Sequence, residues 1–236
     1  MPVFRFKQFN INDEDCAMKI GTDAVLLGSW TKVSNEKRIL DIGTGCGVLA
    51  MMLAQKSQAL IDAIEIDTEA ATRAEDNFKN SPWNDRLNLF CKALADFVQL
   101  APVPYDMVIS NPPFFVKSLK SPSYSKNIAR HDLLLPPEQL AKSVDMILNV
   151  GGRFNLILPF SQEKDFVEMC AQNHLYPVQI TRVIPITGKG TNRVLLSLMK
   201  GNSNLKCSEN ELIIRVNSSD YSSDYRTLTR EFLLNS

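Results

Sequence analysis

The sequence predicts an α/β domain built on a doubly wound, mostly parallel sheet. From about residue 37 onward, short β-branched runs alternate with longer stretches of helical periodicity, and the glycines and prolines that punctuate them fall where the β runs end. With 236 residues the chain is long enough for one α/β domain with a full core, so a single domain over 1–236 is expected, with residues 1–36 as an N-terminal extension.

The segment RILDI (38–42) reads as the first strand, Gly43 to Gly47 as a turn, and Val48 to Gln55 as the start of a helix with Ala50, Leu53 and Ala54 at helical spacing. Leu60 to Ile66 forms the second strand. Thr68 is expected to cap the following helix, which stops before Ser81-Pro82 because proline disfavours helix at the residue ahead of it. Leu87 to Cys91 and Tyr105 to Ser110 are the third and fourth strands, and the fourth runs into Asn111-Pro112-Pro113-Phe114, whose prolines cannot donate to a ladder. Pro136-Pro137 opens a helix with Leu140, Val144 and Leu148 on one face, which Gly151-Gly152 ends before a strand at 154–158. Ser161 is expected to cap a helix over 161–173. Two β runs around Thr187-Gly188-Lys189-Gly190 predict an antiparallel hairpin that closes the sheet edge, and a short strand follows at Glu211 to Val216.

Composition mostly excludes. Apolar residues make up 44% and charged residues 22%, which rules out a largely disordered chain. Lys plus Arg and Asp plus Glu number 26 each, so the whole molecule has no field that attracts nucleic acid, and any such site must be a local patch. The five cysteines are widely spaced and never in a Cys-x-x-Cys pair, so neither a disulfide framework nor a metal site is indicated, and a reducing cytoplasm fits. The first residues lack the apolar core of a signal peptide and no later run is long enough for a membrane span, so a soluble cytoplasmic protein without membrane contact is expected.

Two motifs carry chemistry. Asp41-Ile42-Gly43-Thr44-Gly45-Cys46-Gly47 lies between a strand and a helix, where glycines let the backbone pass close to a ligand. Its Gly-x-Gly-x-Gly spacing differs from the Gly-x-Gly-x-x-Gly that seats a pyrophosphate on a helix N-terminus, which favours a cofactor without phosphates. Glu65, at the end of the second strand, is placed to accept hydrogen bonds from ribose hydroxyls, with Asp67 as its competitor. Asn111-Pro112-Pro113-Phe114 at the end of the fourth strand suits a planar amine, whose nitrogen is a poor nucleophile because its lone pair is delocalised. The Asn111 side-chain oxygen and the Pro112 carbonyl can each accept one N–H, and Phe114 can stack on the ring and attract a sulfonium charge. No strong general base is needed, because the nitrogen becomes acidic only after it takes the methyl group.

In these motifs the chain resembles the class I S-adenosylmethionine-dependent methyltransferases, and among them the bacterial family that methylates N6 of adenine 37 in tRNA(Val). MKIGTDAVLLGSW (18–30), ARHD (129–132), GKGTNR (188–193) and SSDYRTLTREF extend the resemblance over nearly the whole chain. It implies a Rossmann-like fold with a seven-stranded, mostly parallel sheet and a C-terminal antiparallel hairpin. It further implies S-adenosylmethionine bound by Asp41, Gly43, Thr44, Gly45, Gly47, Glu65 and Asn111, with Lys19, Gly21, Thr22 and Asp23 at its methionine end and Asp23 receiving the ammonium. The position that commonly holds an Asp for the cofactor's adenine is Ala93 here, which leaves backbone near Ala93 or the later Asp96 for that task.

The implied partner is tRNA. Between Asp106 and Asp132 no acidic residue occurs, while Lys117, Lys120, Lys126 and Arg130 accompany Tyr124, a composition suited to phosphate contacts and base stacking. Phe114, Phe115, Lys189 and Arg193 join the expected RNA surface, and His131 reads as a structural partner of the loop. Methylation of a glutamine amide, of guanine N2, or cofactor-dependent RNA binding without catalysis stay open on the turn alone.

Overall fold

The computed structural model describes residues 3–14, 16, 19–100, 103–113, 135–201 and 203–234. A hairpin of β1 (Val3–Arg5) and β2 (Asn10–Asn12) precedes α1 (Thr22–Trp30). Then β3 (Arg38–Ile42), α2 (Val48–Lys56), β4 (Leu60–Glu65), α3 (Thr68–Lys79), β5 (Leu87–Cys91), α4 (Leu94–Leu100) and β6 (Tyr105–Ser110) alternate as expected. After them come α5 (Pro137–Ile147), β7 (Leu148–Pro159), α6 (Glu163–Ala171), β8 (Leu175–Ile186), β9 (Arg193–Lys200), β10 (Ser208–Arg215) and α7 (Ser223–Thr229).

Among the described residues, eight strands form one sheet in the order β10-β8-β9-β7-β6-β3-β4-β5. The ladders from β5 through β7 are parallel, β9 is antiparallel to both β7 and β8, and β10 lies parallel to β8. This is one strand more than the seven expected. The segment foreseen as a short C-terminal strand starts earlier and joins the sheet, so β10 forms the edge that the β8–β9 hairpin was expected to close. Side chains alternate between two cores: Ile39, Ile61, Met107 and Ile109 face the side of α1, α2 and α3, while Leu40, Ile64 and Val108 face α4, α5 and α6. Burial on both faces is what makes these strands read as apolar runs.

Local chemistry corrects several boundaries. Asp67, not Thr68, caps α3: its carboxylate accepts from Glu69 N and Ala70 N at 3.0 and 2.9 Å. A 3-10 turn, Phe160–Gln162, precedes α6, which starts without a side-chain cap, so Ser161 does not serve as one. Helix α5 ends at Ile147 without help from Gly151-Gly152, which lie inside β7 where pairing with β6 jumps from Leu148 to Arg153. Gly21 occupies the N-cap of α1, and every residue from Ala24 to Trp30 is buried. The helix packs among α2, α7 and the sheet, and Trp30 Nε1 donates to Thr181 Oγ1 at 3.0 Å.

The N-terminal extension is tied to the first turn of the sheet by one side chain. Asn77 of α3 accepts from Asn12 N at 3.0 Å and donates to Asn12 O at 2.9 Å and Cys46 O at 2.8 Å. Gly47, at the start of α2, has φ +90 and a Cβ there would lie 2.4 Å from the Phe78 ring. Gly47→Ala is therefore expected to lower unfolding free energy in urea by about 1–3 kcal/mol, through backbone strain and overpacking. An unchanged midpoint would contradict this packing.

Candidate active site

Strand order reverses between β3 and β6, and in open α/β sheets a ligand crevice forms outside the carboxyl ends at such a point. Ile42 pairs with Ser110, so Gly43 and Asn111 leave the sheet side by side. Ser110 Oγ donates to Ile42 O at 2.9 Å and locks the two strand ends together.

The glycine loop rests on the end of β4. Gly43 N and Thr44 N both donate to Ile64 O, at 2.9 and 3.0 Å. Gly45 N donates to Glu65 Oε2 at 2.9 Å, while Glu65 Oε1 accepts from Ile66 N and Asp67 N at 2.8 and 2.9 Å. Gly43 and Gly45 have positive φ, and a Cβ at either would meet nothing within 4 Å, so their backbone faces open space. Beneath the loop, Asp41 is fully buried: its Oδ2 accepts from Thr44 Oγ1 at 2.6 Å and Ala50 N at 3.1 Å, and its Oδ1 has no partner among the described residues. Burial pushes this carboxyl up to about 7.

Two cavities meet here. The first, of about 380 Å³, is lined by Lys19, Gly43, Thr44, Gly45, Glu65, Ala93 and Asn111 among the expected residues, and also by Asp67. Asp41 and Gly47, also expected at the cofactor, do not line it. The second, of about 520 Å³, is lined by Gly21, Thr22, Asp23 and Arg193, and it shares Lys19, Asn111 and Pro112 with the first. Asp23 thus stands on the wall of the second cavity, ion-paired with Arg193 at 2.9 Å. Of the two candidates after β5, Ala93 lines the first cavity, whereas Asp96 is exposed in the first turn of α4. Lys189 is exposed in the β8–β9 turn. Phe114, Phe115, Lys117, Lys120, Tyr124, Lys126, Arg130 and His131 lie outside the described residues.

Several lining residues escaped sequence reasoning. Lys92 follows β5 at the same sheet edge as Glu65, and its N–H donates to Glu65 O at 2.9 Å, so its place after a parallel strand was the available signal. Cys16 and Cys46 also line the first cavity, with Gln139 from the first turn of α5. Asn77 carried no sequence signal, because its role depends on tertiary contacts.

The family model described as the methyltransferase small domain matches residues 16–134. Relatives extend the match to almost the whole chain. The tRNA1(Val) (adenine(37)-N6)-methyltransferase of Flavobacterium psychrophilum is 41% identical over 98% of this chain and 99% of its own length. The enzyme of that name from Bacteroides fragilis is 41% identical over 99% and 98%, and that from Histophilus somni 36% identical over 98% and 97%. The chain belongs to this methyltransferase family. Solved structures agree on the fold: a predicted O-methyltransferase from Agrobacterium tumefaciens has a TM-score of 0.71 at 22% identity, covering 89% of this chain and 96% of its own. A ribosomal protein L11 methylase from Lactobacillus delbrueckii has a TM-score of 0.56 at 15% identity, covering 84% and 100%.

The methyl donor of this methyltransferase is S-adenosylmethionine, and the first cavity fits it. Backbone at Gly43 and Gly45 admits close approach, Glu65 Oε2 keeps a lone pair for a ribose hydroxyl, and Ile64, Ile66 and Leu94 offer apolar surface to a base. Among the described residues no cluster of three or more His, Cys, Asp or Glu could hold a metal, and no helix is long and apolar enough to cross a membrane.

The buried Asp41 makes stability depend on pH. Its folded-state pKa lies above the ordinary aspartate value of 3.8, so the stability associated with the neutral acid is complete below about pH 4 and is lost as pH rises through about 7. Between pH 5 and 8, wild-type unfolding free energy is expected to fall by about 2–4 kcal/mol relative to Asp41→Asn. A difference between the two proteins that stays constant across this range would contradict the assignment.

Proposed function

We propose that this methyltransferase methylates the exocyclic amine of adenine 37 in tRNA1(Val), in the cytoplasm, as one domain in which residues 1–36 complete the donor site. The carrying observation is that Asn111 and Pro112 lie on the wall common to both cavities, so an amine held there from one side faces a donor held on the other. The names of relatives 36–41% identical over nearly the full chain supply the substrate in this reading.

When bound, S-adenosylmethionine supplies an electrophilic methyl group on a sulfonium. Glu65 accepts from its ribose, and Lys92, Ala93 and Leu94 line the space for its adenine. Asn111 Oδ1 and the Pro112 carbonyl each take one N–H of the target amine, which draws the nitrogen out of the ring plane and turns its lone pair toward the donor. The excess proton then passes to water, since the nitrogen is acidic once it carries the methyl group and needs no strong base. Phe114 and Phe115 stack on the target base, while Lys117, Lys120, Lys126, Arg130 and the exposed Lys189 contact phosphates.

Asn111→Ala is expected to keep S-adenosylhomocysteine affinity within about threefold by calorimetry and to lose on the order of 100-fold in methyl transfer. Equal losses in both would make Asn111 a structural residue. Glu65→Ala is expected to weaken S-adenosylhomocysteine by about tenfold or more, since it removes both an acceptor and the support of Gly45. The substrate is tested by incubating the enzyme and labelled donor with total tRNA and total protein from cells lacking the activity. Label in N6-methyladenosine supports the proposal; label in protein or in N2-methylguanosine overturns it.

A further inference from the structure

We propose that Cys16 and Cys46 form a hydroperoxide-reactive dithiol in the wall of the first cavity, and that the disulfide it yields shuts the cavity to the methyl donor. This inference goes beyond the proposed function: it rests on the first cavity holding the donor and is indifferent to which amine receives the methyl group.

The spacing of the cysteines predicts no disulfide, yet the fold brings two of them together from distant segments. Cys16 belongs to the N-terminal extension and Cys46 to the glycine loop; both are buried in the same apolar cluster, and both line the first cavity. Asn77 holds the two segments against each other, bonded to the N–H and carbonyl of Asn12 and to Cys46 O at 2.8 Å. Cys16 N donates to Asp13 O at 3.3 Å, so a tight turn carries the chain from that anchor to the thiol. There the side chains meet, and the Cys46 thiol donates to Cys16 Sγ. Cys91, Cys170 and Cys207 do not line this cavity.

The surroundings divide the roles within the pair. The hydrogen bond from Cys46 holds the Cys16 thiol below its ordinary value, and Lys19 and Arg73 act in the same direction against burial and Asp13. The Cys46 thiol is pushed up by the same bond and by burial. Cys16 is therefore the attacking thiolate and Cys46 the resolving thiol. The Cys16 thiolate takes one oxygen of hydrogen peroxide: an S–O bond forms, the O–O bond breaks, and hydroxide leaves with the thiol proton as water. Cys46 sulfur then attacks the sulfenic sulfur: an S–S bond forms, the S–O bond breaks, and the hydroxyl leaves with the Cys46 proton as a second water. The two sulfurs lose two electrons in all, and the peroxide oxygens take them.

The bond draws the sulfurs from hydrogen-bond contact to covalent distance, and the glycine loop takes the shift. Cys46 lies between Gly45, whose N–H rests on Glu65, and Gly47, which is packed on the Phe78 ring. With Gly47 held by that ring, displacement of Cys46 passes to Gly45, whose backbone faces open space where the donor approaches. The disulfide also fastens the extension to the loop, so two walls of the cavity become one.

The test treats the reduced full chain with hydrogen peroxide, maps its peptides without reductant, and measures S-adenosylhomocysteine binding by calorimetry. Peptides holding Cys16 and Cys46 are expected to be linked to each other, with affinity reduced on the order of tenfold or more and restored by dithiothreitol. Saturating S-adenosylhomocysteine is expected to slow the cross-linking, because the donor occupies the cavity that the thiols line. Cys16→Ser and Cys46→Ser, each compared with its own untreated sample, are expected to keep their affinity after peroxide, whereas Cys91→Ser is expected to lose it as wild type does. Peptide mapping of the wild type stands by itself if a variant does not fold. Absence of the Cys16–Cys46 link overturns the inference, as does a linked protein that binds S-adenosylhomocysteine as before or a loss that persists in Cys16→Ser. An untreated enzyme that does not bind S-adenosylhomocysteine overturns the donor placement itself, and the shutting of the cavity with it.

Discussion

The Glu65 carboxylate, which gathers the backbone N–H groups of Gly45, Ile66 and Asp67, is the interaction on which the site depends. It fastens the glycine loop after β3 to the turn after β4, and so fixes the loop with its side-chain-free face toward the first cavity. Three N–H groups leave one of the four usual lone-pair directions of the carboxylate, on Oε2, for a ligand. Asp41 supports the same loop from below through Thr44 Oγ1 and Ala50 N, at the cost of a carboxyl that burial holds near neutrality. A single anchoring acid above and a buried one below keep a loop of high backbone freedom in one shape, the preorganisation that a binding site needs.

The second constraint is the adjacency of β3 and β6. Because Ile42 is paired with Ser110, the donor loop and the Asn111 turn emerge next to each other, and the cavities on either side share Asn111, Pro112 and Lys19. The N-terminal extension closes this arrangement. Asn77 couples Asn12 to the carbonyl of Cys46, Lys19 Nζ donates to Asp13 O at 2.5 Å, and α1 brings Asp23 to Arg193. A chain segment that precedes the sheet in sequence thus walls both cavities.

Most of the α/β pattern was legible because parallel strands buried on both faces announce themselves as apolar runs, and because Gly43 and Asn111-Pro112-Pro113 punctuate strand ends. Glu65 was legible for the same reason, by its place at the end of β4. What escaped depends on tertiary context. Thr68 and Asp67 are both good cap residues, and only the backbone path shows that Asp67 reaches Glu69 N and Ala70 N. Gly151-Gly152 suggested a helix end but serve an irregular stretch of β7, and β10 found a partner in β8 that no local signal names. Asp23 and Arg193 were each assigned to a different ligand, since their pairing spans 170 positions.

In the proposed reaction Asn111 stands between a donor cavity and an acceptor cavity. A crystal structure of the enzyme with S-adenosylhomocysteine and a tRNA substrate tests it most directly. The expected result is the cofactor ribose on Glu65 in the first cavity and the target adenine in the second, its amine about 3 Å from both Asn111 Oδ1 and the Pro112 carbonyl with the cofactor sulfur on the opposite side. A cofactor seated in the second cavity, or a target base whose amine points away from Asn111, would contradict it.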